Sequence, residues 1–171
     1  ADDTLVIVTT DHGEFLGGHQ QIVKGPFCYD SLLRVPVLAR GPSVDVGRVV
    51  SDPVGTIDLA PTILEAAGVP VPASMEGRSL GQQPREYVLT ENDFNVMTSI
   101  PMRPITTAHY KLNRYLEAPF GELYDLRDDP GEVVNRYDDP AFASVRSDLG
   151  ALLDDVMNHD VRREPMVGLV A

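Results

Sequence analysis

The chain has 171 residues, 43% of them hydrophobic and 23% charged, with a formal net charge of -12; this suffices to bury a core in one domain or one and a half. The acidic balance, with a pI near 4.6, excludes non-specific nucleic-acid binding and docking on anionic membrane. No apolar run approaches the ~20 residues of a bilayer span. The one cysteine, Cys28, forms no internal disulfide and leans towards a cytosolic setting.

In chain order, residues 5–8 (LVIV) form an unbroken, β-branched apolar run, which predicts a parallel strand covered on both faces. The loop behind it carries Asp11, His12, Glu14, His19 and Lys24 among four glycines, and in open α/β sheets ligands gather beyond such strand ends. Residues 32–40 read as a second strand with Pro36 as an awkward bulged or edge position, and residues 48–51 as a further short pairing. Residues 56–67 read as a helix with Ile57, Ala60, Ile63, Leu64 and Ala67 on one face. Asp58 or Thr56 is its cap, Pro61 falls in its first turn, and Gly68 follows it. Residues 69–83 read as a surface crossover.

From Arg85 the texture changes to short strands at 86–91, 106–116 with a break near His109, and 122–126, which favours an antiparallel meander. Asp128-Asp129-Pro130-Gly131 signals a turn. Asp139 then caps a helix reaching about residue 158, with Phe142, Val145, Leu149, Leu152 and Val156 inward and Gly150 as a weak point. The intervening 92–103 segment lacks periodicity. It reads as an ordinary covered loop or as a substrate-selecting one lined by Phe94, Met97 and Met102.

On residue chemistry alone, Asp11 and His12 are either a loop pair or two ligands of one divalent ion, since a carboxylate and an imidazole suit Mn²⁺, Zn²⁺ or Ca²⁺. Lys24 is either a solvated lysine or a cation for an anionic ester. His109 reads as structural, and Arg34 and Arg40 as ion-pairing anchors for the loop.

The run TTDHGEFLGGHQQIVKGPFCYDSLLRVPVLARGP resembles the second active-site block of the sulfatases, in the alkaline phosphatase superfamily. IDLAPTILEAAGVPVP, EGRSL and ELYDLRDDPGEVVN resemble the C-terminal portion of the same family. The resemblance implies an α/β fold, namely the C-terminal part of an alkaline-phosphatase-like mixed sheet with helices over residues 1–83. A small antiparallel α+β subdomain follows over 84–171. It implies Asp11 and His12 as metal ligands, for Ca²⁺ or Mn²⁺ ahead of Zn²⁺ or Mg²⁺, with Glu14 bonded to the metal loop. Lys24, thirteen residues beyond Asp11, becomes a catalytic and sulfate-binding cation. His19 becomes a leaving-group acid or a donor to a metal ligand, or remains a polar loop residue.

The paired aspartates and the Cys-x-Pro-x-Arg nucleophile motif of such enzymes, whose Cys or Ser becomes formylglycine, do not occur in these 171 residues. Cys28 lacks that context and reads as a packing thiol. The expectation is therefore a metal-dependent sulfuric ester hydrolase acting on an anionic sulfate or phosphate ester. Its N-terminal half, the partner of this chain, holds the formylglycine, so these residues alone are inactive. A phosphodiesterase or phosphonate monoester hydrolase is the nearest alternative, and a non-catalytic binding module retaining the fold is the alternative of another class.

Overall fold

The computed structural model describes residues 3–42, 44–82, 85–93 and 101–159. Its strongest element is an antiparallel sheet in sequential order, β3 (Tyr87–Leu89), β4 (Met102–Thr107), β5 (Tyr110–Tyr115) and β6 (Gly121–Asp125). The register pairs Ile105 with Leu112 and Leu112 with Leu123, so a stripe of branched side chains crosses three strands on one face. Helix α3 (Ala143–His159) covers that stripe with Leu149 and Leu153. Ile105, Leu123 and Leu153 are completely shielded, and each contributes about 1.5–3 kcal/mol by leaving water.

The opposite face of the sheet is also buried, but its chemistry differs. Lys111, Asn113 and Tyr115 alternate with Tyr110, Leu112 and Arg114 along β5, and all three lie inside. Cys28, Met102 and Tyr115 form a second apolar cluster there, with Leu33 beside it. The short helix α1 (Asp30–Leu33) thus packs on the sheet's second face.

The helix predicted over 56–67 is present as a single 3-10 turn (Thr56–Asp58) continued by α2 (Leu59–Ala66), with Gly68 at φ 68° closing it. Asp58 does more than cap. Its carboxylate accepts from the Gly55 N–H at 2.9 Å, the Arg78 N–H at 2.8 Å and Arg85 Nε at 3.0 Å, and it also pairs with Arg85 Nη2. Burial alone would raise the Asp58 pKa, yet the Arg85 bonds and the two backbone donors overcome that and hold it below the ordinary value. The predicted apolar face is only partly covered, since Ile57 and Ile63 stand half exposed.

Several strand expectations are corrected. Strand β1 (Val6–Val8) pairs antiparallel with β2 (Leu38–Arg40), not in parallel, and Val6, Val8 and Leu38 are exposed. An apolar run reports a preference for cover and says nothing about which segment supplies it or in what direction. Residues 32 and 33 belong to α1, so Pro36 precedes the second strand and disturbs no ladder. Residues 48–51 pair with nothing among the described residues.

Strand β4 begins at Met102, four residues before its predicted start, and carries Pro104 inside it. The Pro104 carbonyl accepts from the Thr90 N–H at 2.9 Å, and pairing resumes beyond it between Asn92 and Met102, so the missing N–H costs a single ladder bond. Met102 is buried within β4, whereas Phe94 and Met97 lie outside the described residues.

Asp139 is the predicted cap, accepting from the Ala141 N–H at 3.0 Å ahead of a 3-10 turn (Pro140–Phe142). Asp139→Ala is expected to cost about 1 kcal/mol. A fall in Tm of a few degrees without loss of fold checks it.

Candidate active-site loop

The loop after β1 is held by backbone geometry before any side chain acts. The Gly13 N–H donates to the Leu32 carbonyl at 2.7 Å, and a Cβ at Gly13 would strike the Ser31 carbonyl oxygen. Only glycine therefore lets the residue after His12 lie against α1. The loop then carries left-handed backbone at Leu16, His19 and Gln20, with φ of 48°, 48° and 59°, a costly conformation for residues with a Cβ.

Aromatic packing opposes that strain. Phe15 is buried and meets the His19 and Tyr29 rings edge-on with centroids 5.9 Å apart in each case. His19 stacks on Tyr29 at 3.8 Å with an interplanar angle of 15°. Tyr29 in turn donates to Glu122 Oε1 at 3.4 Å, and burial followed by that carboxylate raises its phenol pKa. His19, expected at the chemistry, is thus held by ring contacts.

Asp11, His12 and Lys24 converge. The Lys24 Nζ lies 2.9 Å from His12 Nε2, and Asp11 Oδ2 lies 3.6 Å from the same nitrogen. His12 Nδ1 sits 2.7 Å from the Gly13 carbonyl oxygen, which can only accept, so Nδ1 carries the proton and Nε2 presents its lone pair. The Asp11 pKa is lowered, first by the His12 N–H at 2.9 Å and then by the Thr10 hydroxyl at 3.1 Å. The Asp11 side chain is 84% exposed and that of His12 39%, so both donors are open to solvent.

An anionic carboxylate oxygen and an unprotonated imidazole nitrogen fit two ligands of one divalent ion. They are not a complete set: among the described residues no three His, Cys, Asp or Glu side chains form a metal-holding group. Glu14 accepts from the Phe15 N–H at 3.1 Å, which keeps it in the loop's hydrogen bonding.

The expected anchors are corrected. Neither Arg34 nor Arg40 forms an ion pair among the described residues, and both are exposed. The anchor lies where sequence reasoning missed it. Lys111, 1% exposed, pairs with Asp30 and with Glu132 Oε1 at 2.6 Å and donates to the Cys28 carbonyl at 3.3 Å. Glu132 Oε2 accepts from the Asp30 N–H at 2.5 Å. A lysine inside a strand that alternates polar and apolar residues carries no signal of burial. His109 is exposed, and its backbone carbonyl accepts from the Leu126 N–H at 2.8 Å.

The fold agrees with comparison to known proteins. The family model described as N-sulphoglucosamine sulphohydrolase, C-terminal, matches residues 17–159. The chain belongs to this sulfatase C-terminal family. A Delta 4,5-hexuronate-2-O-sulfatase of Bacteroides thetaiotaomicron is 33% identical over 168 residues, covering 90% of this sulfatase chain and 34% of the relative. Among solved structures, a 2-O GAG sulfatase superposes with a TM-score of 0.86 at 31% identity, over 92% of this chain and 36% of the other. The phosphonate monoester hydrolase of Silicibacter pomeroyi superposes with a TM-score of 0.78 at 30% identity, over 92% and 35%. The sulfatase chain spans about a third of the length of these relatives.

Proposed function

We propose that this chain is the C-terminal portion of a metal-dependent sulfuric ester hydrolase and supplies part of its metal site and its sulfate-binding lysine. The observation that carries the reading is the convergence on His12 Nε2, in the loop after β1, of Lys24 Nζ at 2.9 Å and Asp11 Oδ2 at 3.6 Å. The large α/β domain then ends near residue 83 and the antiparallel subdomain occupies 84–171. The N-terminal half of the same protein contributes the remaining carboxylates and the formylglycine nucleophile.

In this reading Asp11 Oδ2 and His12 Nε2 hold a divalent cation, Ca²⁺ or Mn²⁺ ahead of Zn²⁺ or Mg²⁺. When bound, such an ion supplies Lewis-acid polarisation of the ester and charge for the nucleophile. The Gly13 carbonyl keeps the His12 proton on Nδ1, so Nε2 needs no proton transfer to ligate, and the Lys24 ammonium now 2.9 Å from it would turn to the ester instead. Lys24 places a fixed positive charge beside the same point. It binds a non-bridging oxygen of the ester, and its charge counters the negative charge that develops as the ester bond breaks. His19 stands over Tyr29 at the rim of the loop, where an imidazole can give a proton to the leaving oxygen.

The relatives named above for hexuronate and glycosaminoglycan 2-O-sulfates support a sulfated sugar as substrate. The likeness to a phosphonate monoester hydrolase supports a second reading, since the same residues would serve a phosphorus ester. Parallel kcat/KM values on an aryl sulfate and an aryl phosphonate separate the two.

Asp11→Ala in the full-length protein is expected to lower bound metal well below one equivalent, because one anionic ligand is lost and the remaining ligands are left unbalanced. Elemental analysis showing unchanged metal would remove Asp11 from the site.

A further inference from the structure

The four non-glycine residues with left-handed backbone among the described residues fall in two places. Leu16, His19 and Gln20 lie in the active-site loop, and Glu132, at φ 53°, lies in the turn after β6. Strain of this kind persists only where the surroundings over-determine it. At Glu132 the cause is visible, because the left-handed turn delivers a buried carboxylate to the Lys111 ammonium and to the Asp30 N–H. The turn sequence Asp128-Asp129-Pro130-Gly131 offered glycine for that conformation, yet the chain places it on the glutamate one residue later.

Lys111 and Glu132 between them grip the backbone on both sides of Tyr29. Lys111 holds the Cys28 carbonyl and the Asp30 carboxylate, and Glu132 holds the Asp30 N–H. Two contacts lead from there to the active-site loop. The Tyr29 ring supports His19 at 3.8 Å. The α1 helix, which begins at Asp30, offers the Leu32 carbonyl that takes the Gly13 N–H beside His12.

We propose that Lys111 and Glu132, on the antiparallel sheet and its following turn, are positioning residues for the reaction, setting His19 and His12 by clamping the backbone around Tyr29. This rests on the reading of the 11–24 loop as the catalytic one. A clamp that merely stabilised the fold would need no strained residue. It could be replaced by apolar side chains, as buried ion pairs often can.

The test uses the full-length protein and an aryl sulfate, assayed well below each variant's measured Tm. Lys111→Met and Glu132→Gln are expected to lower kcat about tenfold or more while KM stays within about twofold, since misplacement of catalytic groups costs rate more than binding. Adding Tyr29→Leu to Lys111→Met should cause much less than the additive loss, because both act on His19 through the Tyr29 ring. Arg114→Ala, which breaks a pair with Asp154 on α3, should lower Tm and leave kcat unchanged.

Where Lys111→Met does not fold, Glu132→Asp, which keeps the charge and shortens the arm, carries the same expectation. Wild-type kcat in these variants, or independent losses in Lys111→Met and Tyr29→Leu, would overturn the proposal. Lys24→Ala run alongside isolates the underlying reading: if it too is wild-type, the loop is not the catalytic one.

Discussion

Lys24→Ala in the full-length protein lowers kcat/KM on an aryl sulfate by at least ~10²-fold, equivalent to roughly 3 kcal/mol of transition-state stabilisation. Among the described residues no carboxylate pairs with the Lys24 ammonium, whose recorded partner is the His12 ring nitrogen at 2.9 Å. Its charge is therefore available to an anion, in a chain whose net charge of -12 would otherwise repel one. Because Lys24 is exposed, removing its side chain should leave folding intact, so circular dichroism and Tm serve as controls. Near-normal kinetics in the variant would reduce Lys24 to a surface cation.

Arg85→Ala destabilises the protein by about 3–5 kcal/mol, because it leaves the 2%-exposed Asp58 carboxylate without its charge partner. Arg85 fills two roles in the knot, bonding Asp58 and donating to the Glu76 carbonyl at 3.2 Å. The pH dependence has a defined sign. The Asp58 pKa is lowered in the folded state, so its contribution is complete above the unfolded value of about 3.9 and disappears as pH falls through the depressed folded value. Wild type and Arg85→Ala should therefore differ most near neutrality and converge in acid. Urea unfolding at pH 7 and pH 3 measures both, and an equal gap at the two pH values would separate Arg85 from the Asp58 charge.

Sequence reasoning reached the features written in contiguous residues. The helix closed by Gly68 and the Asp139-Pro140 cap ahead of α3 each carry their cause locally, in backbone freedom or capping. What it missed depends on residues 81 and 102 positions apart, the spans of the Lys111–Asp30 pair and the Glu132–Asp30 bond. Lysine and glutamate are rarely buried, and nothing in YKLNRY or DPGEVV says that these two are. His19 was legible as a candidate by its type, while its support, a stack on Tyr29, was not.

The contrast between the closed core and the open ribbon bears on the order in which parts of the molecule become rigid. The Leu112 amide lies beneath α3 in a finished core and should exchange only when the whole sheet opens. Within these 171 residues the β1–β2 ribbon, three residue pairs long with Val6, Val8 and Leu38 exposed, has no such cover and opens at lower cost. Within these residues the strand that leads into Asp11 and His12 is thus the last part to become fixed.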